Sequence, residues 1–154
     1  MKEYKNVFIA TTDTVVGIGA PISKENEEAL YEIKQRPKNK PIIIMVGDID
    51  NARKLEGWNE NAEELAKEYW PGNVTLVLTE SIAVRMPNCK PLQEMIKEHG
   101  AVYMTSANIS GEEQLTFDQA CEKFSYIKNR YNFCEGSGKP SMIIDVNTKN
   151  ILRK

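Results

Sequence analysis

The sequence predicts an α/β fold on a mixed sheet, and two observations carry that reading. Short β-branched runs alternate with helix-length amphipathic stretches along the whole chain, which is how strands and the helices connecting them read. The runs Val74 to Thr79 and Ile82 to Arg85 are joined through Glu80-Ser81 alone, a spacing that fits a hairpin and so brings an antiparallel pair into the sheet.

The elements follow in order. Val7 to Ala10 is a short apolar run and reads as a buried strand, ending in the hydroxyl-rich corner TTDT ahead of VVGIGAP. A helix starts after Ser23 as N-cap, carries Glu25 in its first turn and buries Ala29, Leu30 and Ile33. It must stop before Pro37, whose ring disfavours helical geometry in the residue ahead of it. Pro41 to Val46 reads as an interior strand, and residues 61 to 69 as a helix ended by Pro71-Gly72. After the hairpin, Pro91 to His99 is a short helix closed by Gly100, and Ala101 to Thr105 a strand emerging into SANISG. Thr116 caps a helix that continues through Phe124 or beyond, and Met142 to Val146 is the last strand before the closing ILRK.

The chain has 154 residues and a mass of 17.5 kDa, about the size of one ordinary domain. No linker, repeat or low-complexity tract interrupts it, so residues 1–154 read as a single domain. With 41% hydrophobic and 27% charged residues it can bury a core. A net charge of −2 argues against coating nucleic acid by bulk charge and leaves only a local basic patch for anions. Cys89, Cys121 and Cys134 are far apart, with no CxxC, and His99 is the sole histidine. Those facts argue against a metal site and a disulfide framework, and lead us to expect reduced thiols in a cytoplasmic protein. The N-terminal apolar run is too short for a signal peptide, and no run approaches a membrane span.

Four cations, Lys34, Arg36, Lys38 and Lys40, stand at alternate positions in KQRPKNKPIII with no acid between Ile33 and Gly47. If the segment after the helix is extended, Arg36, Lys38 and Lys40 point broadly the same way and repel one another unless an anion binds. The alternative is that Lys34 and Arg36 complement the helix C-terminus while the lysines are solvated. Two phosphate motifs fail. GSGKPS has Phe133 at the first glycine position of a P-loop and Pro140 at its hydroxyl position; GIGAPI has Ile22 at the third glycine position of a dinucleotide fingerprint.

Polar clusters recur where strands end, the edge at which open α/β sheets hold ligands. They are Thr11 to Thr14, Thr105 to Ser110, and Ser137 to Ser141; Arg85, ending a strand, adds a fork suited to a carboxylate or phosphate. Each cluster alone also fits a turn or helix cap. His99 lies in KEHG and reads as a partner of the helix dipole, so no Ser-His-Asp or Cys-His set is available. Cations with neutral hydroxyls and amides suit an anionic substrate whose chemistry needs positioning and charge stabilisation, as nucleotidyl and phosphoryl transfer do.

In this order the segments TTDTVVGIG, KQRPKNKPIIIMV, WPGNVTLVL, IAVRMP, SANISG, SMIID and Leu152-Arg153 resemble the YrdC-like family of threonylcarbamoyl-adenylate synthases, over nearly the whole chain. The resemblance implies a single-domain twisted mixed sheet with flanking helices and a concave, positively charged face, here in a minimal form. It implies condensation of L-threonine, bicarbonate or CO2 and ATP, accompanied by Mg2+, to threonylcarbamoyl-AMP and pyrophosphate. A threonylcarbamoyl-transferase complex downstream would then modify tRNA. Carried over by position, Lys34, Arg36, Lys38, Ser81, Ser106, Asn108 and Arg153 bind ATP, with Lys34 and Arg36 catalytic through its phosphates; Thr12, Arg85 and Ser141 hold the threonine. No residue is expected to ligate a metal directly. Thr11, Val16, Met45 and Asn73 depart from the family's Pro, Tyr, frequent His and Pro, and Val16 and Met45 thereby remove polar groups near the expected amino-acid pocket. Arg153, one residue from the last, is expected to fray until ATP binds. The competing expectation is a module that binds double-stranded RNA or tRNA on the same basic face without turnover.

Overall fold

The computed structural model describes residues 4–154, and the strands among them form one mixed sheet. In chain order the elements are β1 (Phe8–Ala10), β2 (Gly17–Pro21), α1 (Lys24–Lys34), β3 (Ile43–Met45), α2 (Ile49–Arg53), α3 (Glu60–Tyr69) and β4 (Val74–Val77). They continue with β5 (Ala83–Arg85), α4 (Lys90–His99), β6 (Val102–Ser106), α5 (Phe117–Lys123), β7 (Asn129–Tyr131), β8 (Met142–Asp145) and β9 (Ile151–Arg153). The strand order is β7-β1-β2-β6-β3-β5-β4-β8-β9. β1 and β7, β3 and β5, and β4 and β8 pair parallel; the other neighbours, including the expected hairpin β4-β5, pair antiparallel.

Local chemistry sets the helix ends. The Ser23 hydroxyl accepts the Asn26 N–H at 3.0 Å, and α1 ends at Gln35 in the left-handed region (φ 51°), two residues before Pro37. Thr116 and Gln119 close a capping box at the start of α5. α2, β2, β7 and β9 carry no clear sequence signal: α2 is one short turn capped by Asp48, and β7 and β9 are three-residue edge strands. β2 contains the GIGAP glycines, which depress strand propensity. Their use is close approach: a Cβ on Gly17 would lie 2.5 Å from the Met104 sulfur of β6.

Period-two alternation divides the sheet into two faces. On one, Val7, Ile9, Ile18 and Ile42 pack with Leu30 and Ile33 of α1 and with Phe124 beyond α5. The same face continues as Ile44, Leu76, Val84 and Ile144 packed against Ala62, Leu65 and Ala66 of α3. Each large side chain buried there stabilises by about 1.5–3 kcal/mol. The opposite face carries Phe8, Ala10, Met45, Val102 and Met104 under Leu92 and Ile96 of α4. Beyond that helix, toward β4, β8 and β9, the same face opens into a cleft.

Three expectations are corrected. Cys89 and Cys134 are joined in a disulfide, and Cys121 is the free thiol. Spacing rules miss the bridge because its partners are 45 residues apart in sequence; the fold brings the start of α4 and the segment after β7 over one face. The segment after α1 is not extended: the Lys40 N–H bonds to the Pro37 carbonyl at 3.1 Å, so residues 37–40 turn and the alternating geometry expected of the cations is absent. Arg153 is not frayed, because β9 pairs with β8 and its guanidinium bonds to Ser141.

Candidate active site

The cleft has a volume of about 410 Å3. Its floor is the set of alternate strand residues that face away from the helix-covered side: Ile43 and Met45, Thr75 and Val77, Ala83 and Arg85, Ile143. A polar residue inside an otherwise apolar strand, such as Thr75 or Arg85, therefore marks the open face. Both are buried in the strand layer and still line the cleft.

The TTDT corner after β1 is a turn knotted by its own side chains. Thr12 Oγ1 donates to the Val15 carbonyl at 2.7 Å and accepts the Thr14 N–H at 3.0 Å. Asp13 Oδ1 accepts from Arg85 Nη1 at 2.7 Å, and Asp13 Oδ2 accepts the Asn88 N–H at 2.9 Å. Arg85 also donates to the Gly72 carbonyl and to Thr14 Oγ1. The GSG of GSGKPS braces this corner from behind: Ser137 and Gly138 N–H groups bond to the Asp13 and Thr14 carbonyls. Gly136 sits so close that an added Cβ would fall 2.2 Å from the Thr14 carbonyl oxygen. Thr11 Oγ1 completes the brace by accepting the Phe133 and Cys134 N–H groups.

Lys34, in the last turn of α1, is buried rather than presented to solvent. Its ammonium donates to the Ser106 carbonyl at 2.6 Å, to Ser106 Oγ at 3.2 Å and to Asn108 Oδ1 at 2.8 Å. Burial first, and then the nearby Arg36, hold its pKa down to about 8. Ser106 donates to Asn108 Oδ1 at 2.6 Å, and Asn108 Nδ2 reaches the Glu112 carbonyl, so the SAN segment is locked to the helix end. Arg36 is aimed by its own turn, donating to the Lys40 and Pro41 carbonyls.

At the other wall, Ser141 Oγ lies 2.7 Å from Thr75 Oγ1 and accepts from Arg153 Nη2 at 3.2 Å, while Arg153 Nε bonds to the Ser141 carbonyl at 2.8 Å. Arg153 has its pKa lowered by burial, then by Arg36 and Arg85. Arg36, Arg85 and Arg153 line one cleft. Like charges facing a shared cavity favour an anion there.

Of the sequence-predicted residues, the structure brings Thr12, Arg36, Arg85, Ser106, Ser141 and Arg153 to the cleft. Lys34 and Asn108 stand just behind Ser106, and Lys38 and Ser81 are exposed outside the cleft lining. Met45 lines the cleft, whereas Val16 packs against the α1 side of the sheet and lines an adjoining cleft of about 340 Å3; Val15 lines both. Sequence reasoning placed Asp13 and Thr14 in a polar cluster without giving either a role, and it missed Thr75. TTDT and the Thr within VTLVL were their only signal, and that signal does not tell which side chain turns inward.

The Sua5/YciO/YrdC family model, described as "Telomere recombination", matches residues 3–154. The chain belongs to the Sua5/YciO/YrdC family. It is 35% identical over 124 residues to the threonylcarbamoyl-AMP synthase of Bacillus subtilis, an overlap covering 68% of this chain and 35% of that protein. The crystal structure of Pyrococcus abyssi Sua5 complexed with L-threonine matches with a TM-score of 0.83 and 30% identity, covering 92% of this chain and 47% of that one. Escherichia coli YciO matches with a TM-score of 0.85 and 20% identity over 97% of this chain and 83% of its own, a likeness of fold. The chain spans about a third of the length of the B. subtilis synthase and about half of the P. abyssi chain. The twisted mixed sheet with flanking helices is thus the Sua5/YciO/YrdC fold, with the cationic cleft on its open face.

Proposed function

We propose that the protein is an L-threonylcarbamoyladenylate synthase, condensing L-threonine, bicarbonate or CO2 and ATP to threonylcarbamoyl-AMP and pyrophosphate. The observation that carries this is the convergence of Arg36, Arg85 and Arg153 with the hydroxyls of Thr12, Ser106 and Ser141 on one cleft. The threonine complex of P. abyssi Sua5 and the B. subtilis synthase support it.

Arg36 and Arg153 would meet the phosphates, and Lys34 would add its charge through Ser106 and Asn108. Lys38, solvent-exposed, would reach only the outer end of the triphosphate. Thr12, Arg85 and Ser141 would hold the threonine, with Arg85 toward its carboxylate. The threonine amine attacks CO2, loses a proton and becomes a carbamate. A carbamate oxygen then displaces pyrophosphate from the α-phosphorus of ATP. Negative charge grows on the phosphoryl oxygens in that step, where preorganised guanidinium donors are most effective.

Among the described residues no group of three or more His, Cys, Asp or Glu could hold a metal ion. Mg2+ would arrive on the triphosphate and keep much of its water, and Glu80, a carboxylate lining the cleft, would be placed to meet it. The adenylate would pass to a threonylcarbamoyl-transferase complex acting on tRNA in the cytoplasm. No helix among the described residues is long and apolar enough to cross a membrane.

The test is pyrophosphate release from ATP and Mg2+, with and without L-threonine and bicarbonate, with nucleotide products separated at once. Release that requires both co-substrates, together with a new adenylate peak, is the expected result. ATP or double-stranded RNA binding without release would overturn the reading in favour of a binding module.

A further inference from the structure

On the reading of the cleft as a site for threonine and ATP, on which this rests, we propose that Asp13 is a positioning residue for the amino-acid carboxylate. It acts through Arg85 and does not touch the substrate.

Arg85 is 2% exposed and the Asp13 side chain 13%, with 2.7 Å between them, so solvent does little to screen the pair. A guanidinium presents five N–H donors in one rigid plane. Here Nη1 is committed to Asp13 and to the Gly72 carbonyl, and Nη2 to Thr14 Oγ1. Those bonds fix the plane and so decide which edge Arg85 offers to the cleft that it lines.

Asp13 does not line that cleft and stands behind the guanidinium. It is itself tied down twice. Its second carboxylate oxygen accepts the Asn88 N–H at 2.9 Å, and its backbone carbonyl accepts the Ser137 N–H at 3.1 Å. The carboxylate therefore cannot follow Arg85 forward into the cleft. One anion behind the guanidinium holds its orientation while its open edge is left for a second.

Asp13 also separates the roles of the cations. Among the described residues, Arg36, turned by its own loop carbonyls, and Arg153, held on Ser141, have no carboxylate as a hydrogen-bond partner. A pair balanced from behind suits a single carboxylate; unbalanced arginines suit the higher charge of a polyphosphate. Loss of the Asp13 charge is then felt at the threonine end and not at the nucleotide end.

The experiment compares wild type, Asp13→Asn and Asp13→Glu. Asparagine preserves an acceptor for Asn88 and removes the charge; glutamate restores the charge on a longer stem. We expect Asp13→Asn to raise the KM for L-threonine roughly 30-fold or more, in line with the loss of one partner of a buried charge pair. The Kd for ATP stays within about twofold, and Asp13→Glu recovers part of the loss, because charge-assisted bonds to the guanidinium are regained. Thermal melting confirms that each variant is folded. An unchanged threonine KM in folded Asp13→Asn, or an equal loss of ATP affinity, overturns the proposal. If wild type shows no threonine-dependent pyrophosphate release, the functional reading fails, and the Arg85 guanidinium is read directly by nitrogen NMR. Separate, slowly exchanging Nη signals in wild type that merge in Asp13→Asn uphold the positioning role; identical spectra overturn it.

Discussion

Lys34 shows how one residue changes meaning between sequence and structure. In KQRP it reads as one of four surface cations, yet it is buried and donates to Ser106 and Asn108. Its pKa is lowered from 10.5 to about 8, burial being the main cause. The folded chain therefore gives up this proton before the unfolded chain does. The group weighs against folding below about pH 8, and that penalty relaxes as pH rises between about 8 and 10.5. An anion arriving in the cleft favours the charged form, so ATP binding above about pH 8 is expected to take up protons. Calorimetry in buffers of different ionisation heat measures the uptake; it should vanish in Lys34→Met. Binding with no proton uptake at pH 8.5 in wild type would remove Lys34 from the electrostatics of the site.

At the scale of elements, the cleft depends on a corner, a brace and an edge strand, none of which has a periodic signature. The corner is TTDT, the brace is residues 133–138, and β9 carries Arg153 to Ser141. GSGKPS fails as a P-loop by its spacing, and the structure gives its glycine a different use: Gly136 admits the Thr12 and Thr14 carbonyls at distances no Cβ tolerates. Gly136→Ala must push the brace off the corner, and overpacking of this kind typically costs 1–3 kcal/mol. A lowered Tm together with a threonine KM raised more than the ATP Kd is the expected result, read by thermal melting and steady-state kinetics. The helices were legible because caps and proline punctuation are local: Ser23, Thr116, Gly100 and Pro37 all mark ends where the sequence puts them. α2, β7 and β9 were not, because runs of three to five residues owe their form to their neighbours in space.

For the whole molecule, a net charge of −2 coexists with a cleft lined by three arginines. Nucleotide affinity should therefore fall as salt screens those charges, whereas the melting temperature, set by the two-faced apolar core, should change little. Titrations at about 50 and 300 mM salt, spanning Debye lengths of roughly 14 to 6 Å, measure the difference; a salt-independent ATP affinity would argue that the arginines do not meet phosphate. By itself the sequence determined the α/β class, the hairpin, the capped helices and the polar segments that end the strands, since each is written in contiguous residues. It did not determine the Cys89–Cys134 bridge, the burial of Lys34, the turn over residues 37–40, or the pairing of Asp13 with Arg85. The physical reason is separation along the chain. Asp13 and Arg85 are 72 residues apart, and only the packing of β1, β5 and the start of α4 on one sheet brings a carboxylate behind a guanidinium and leaves its other edge facing the cleft.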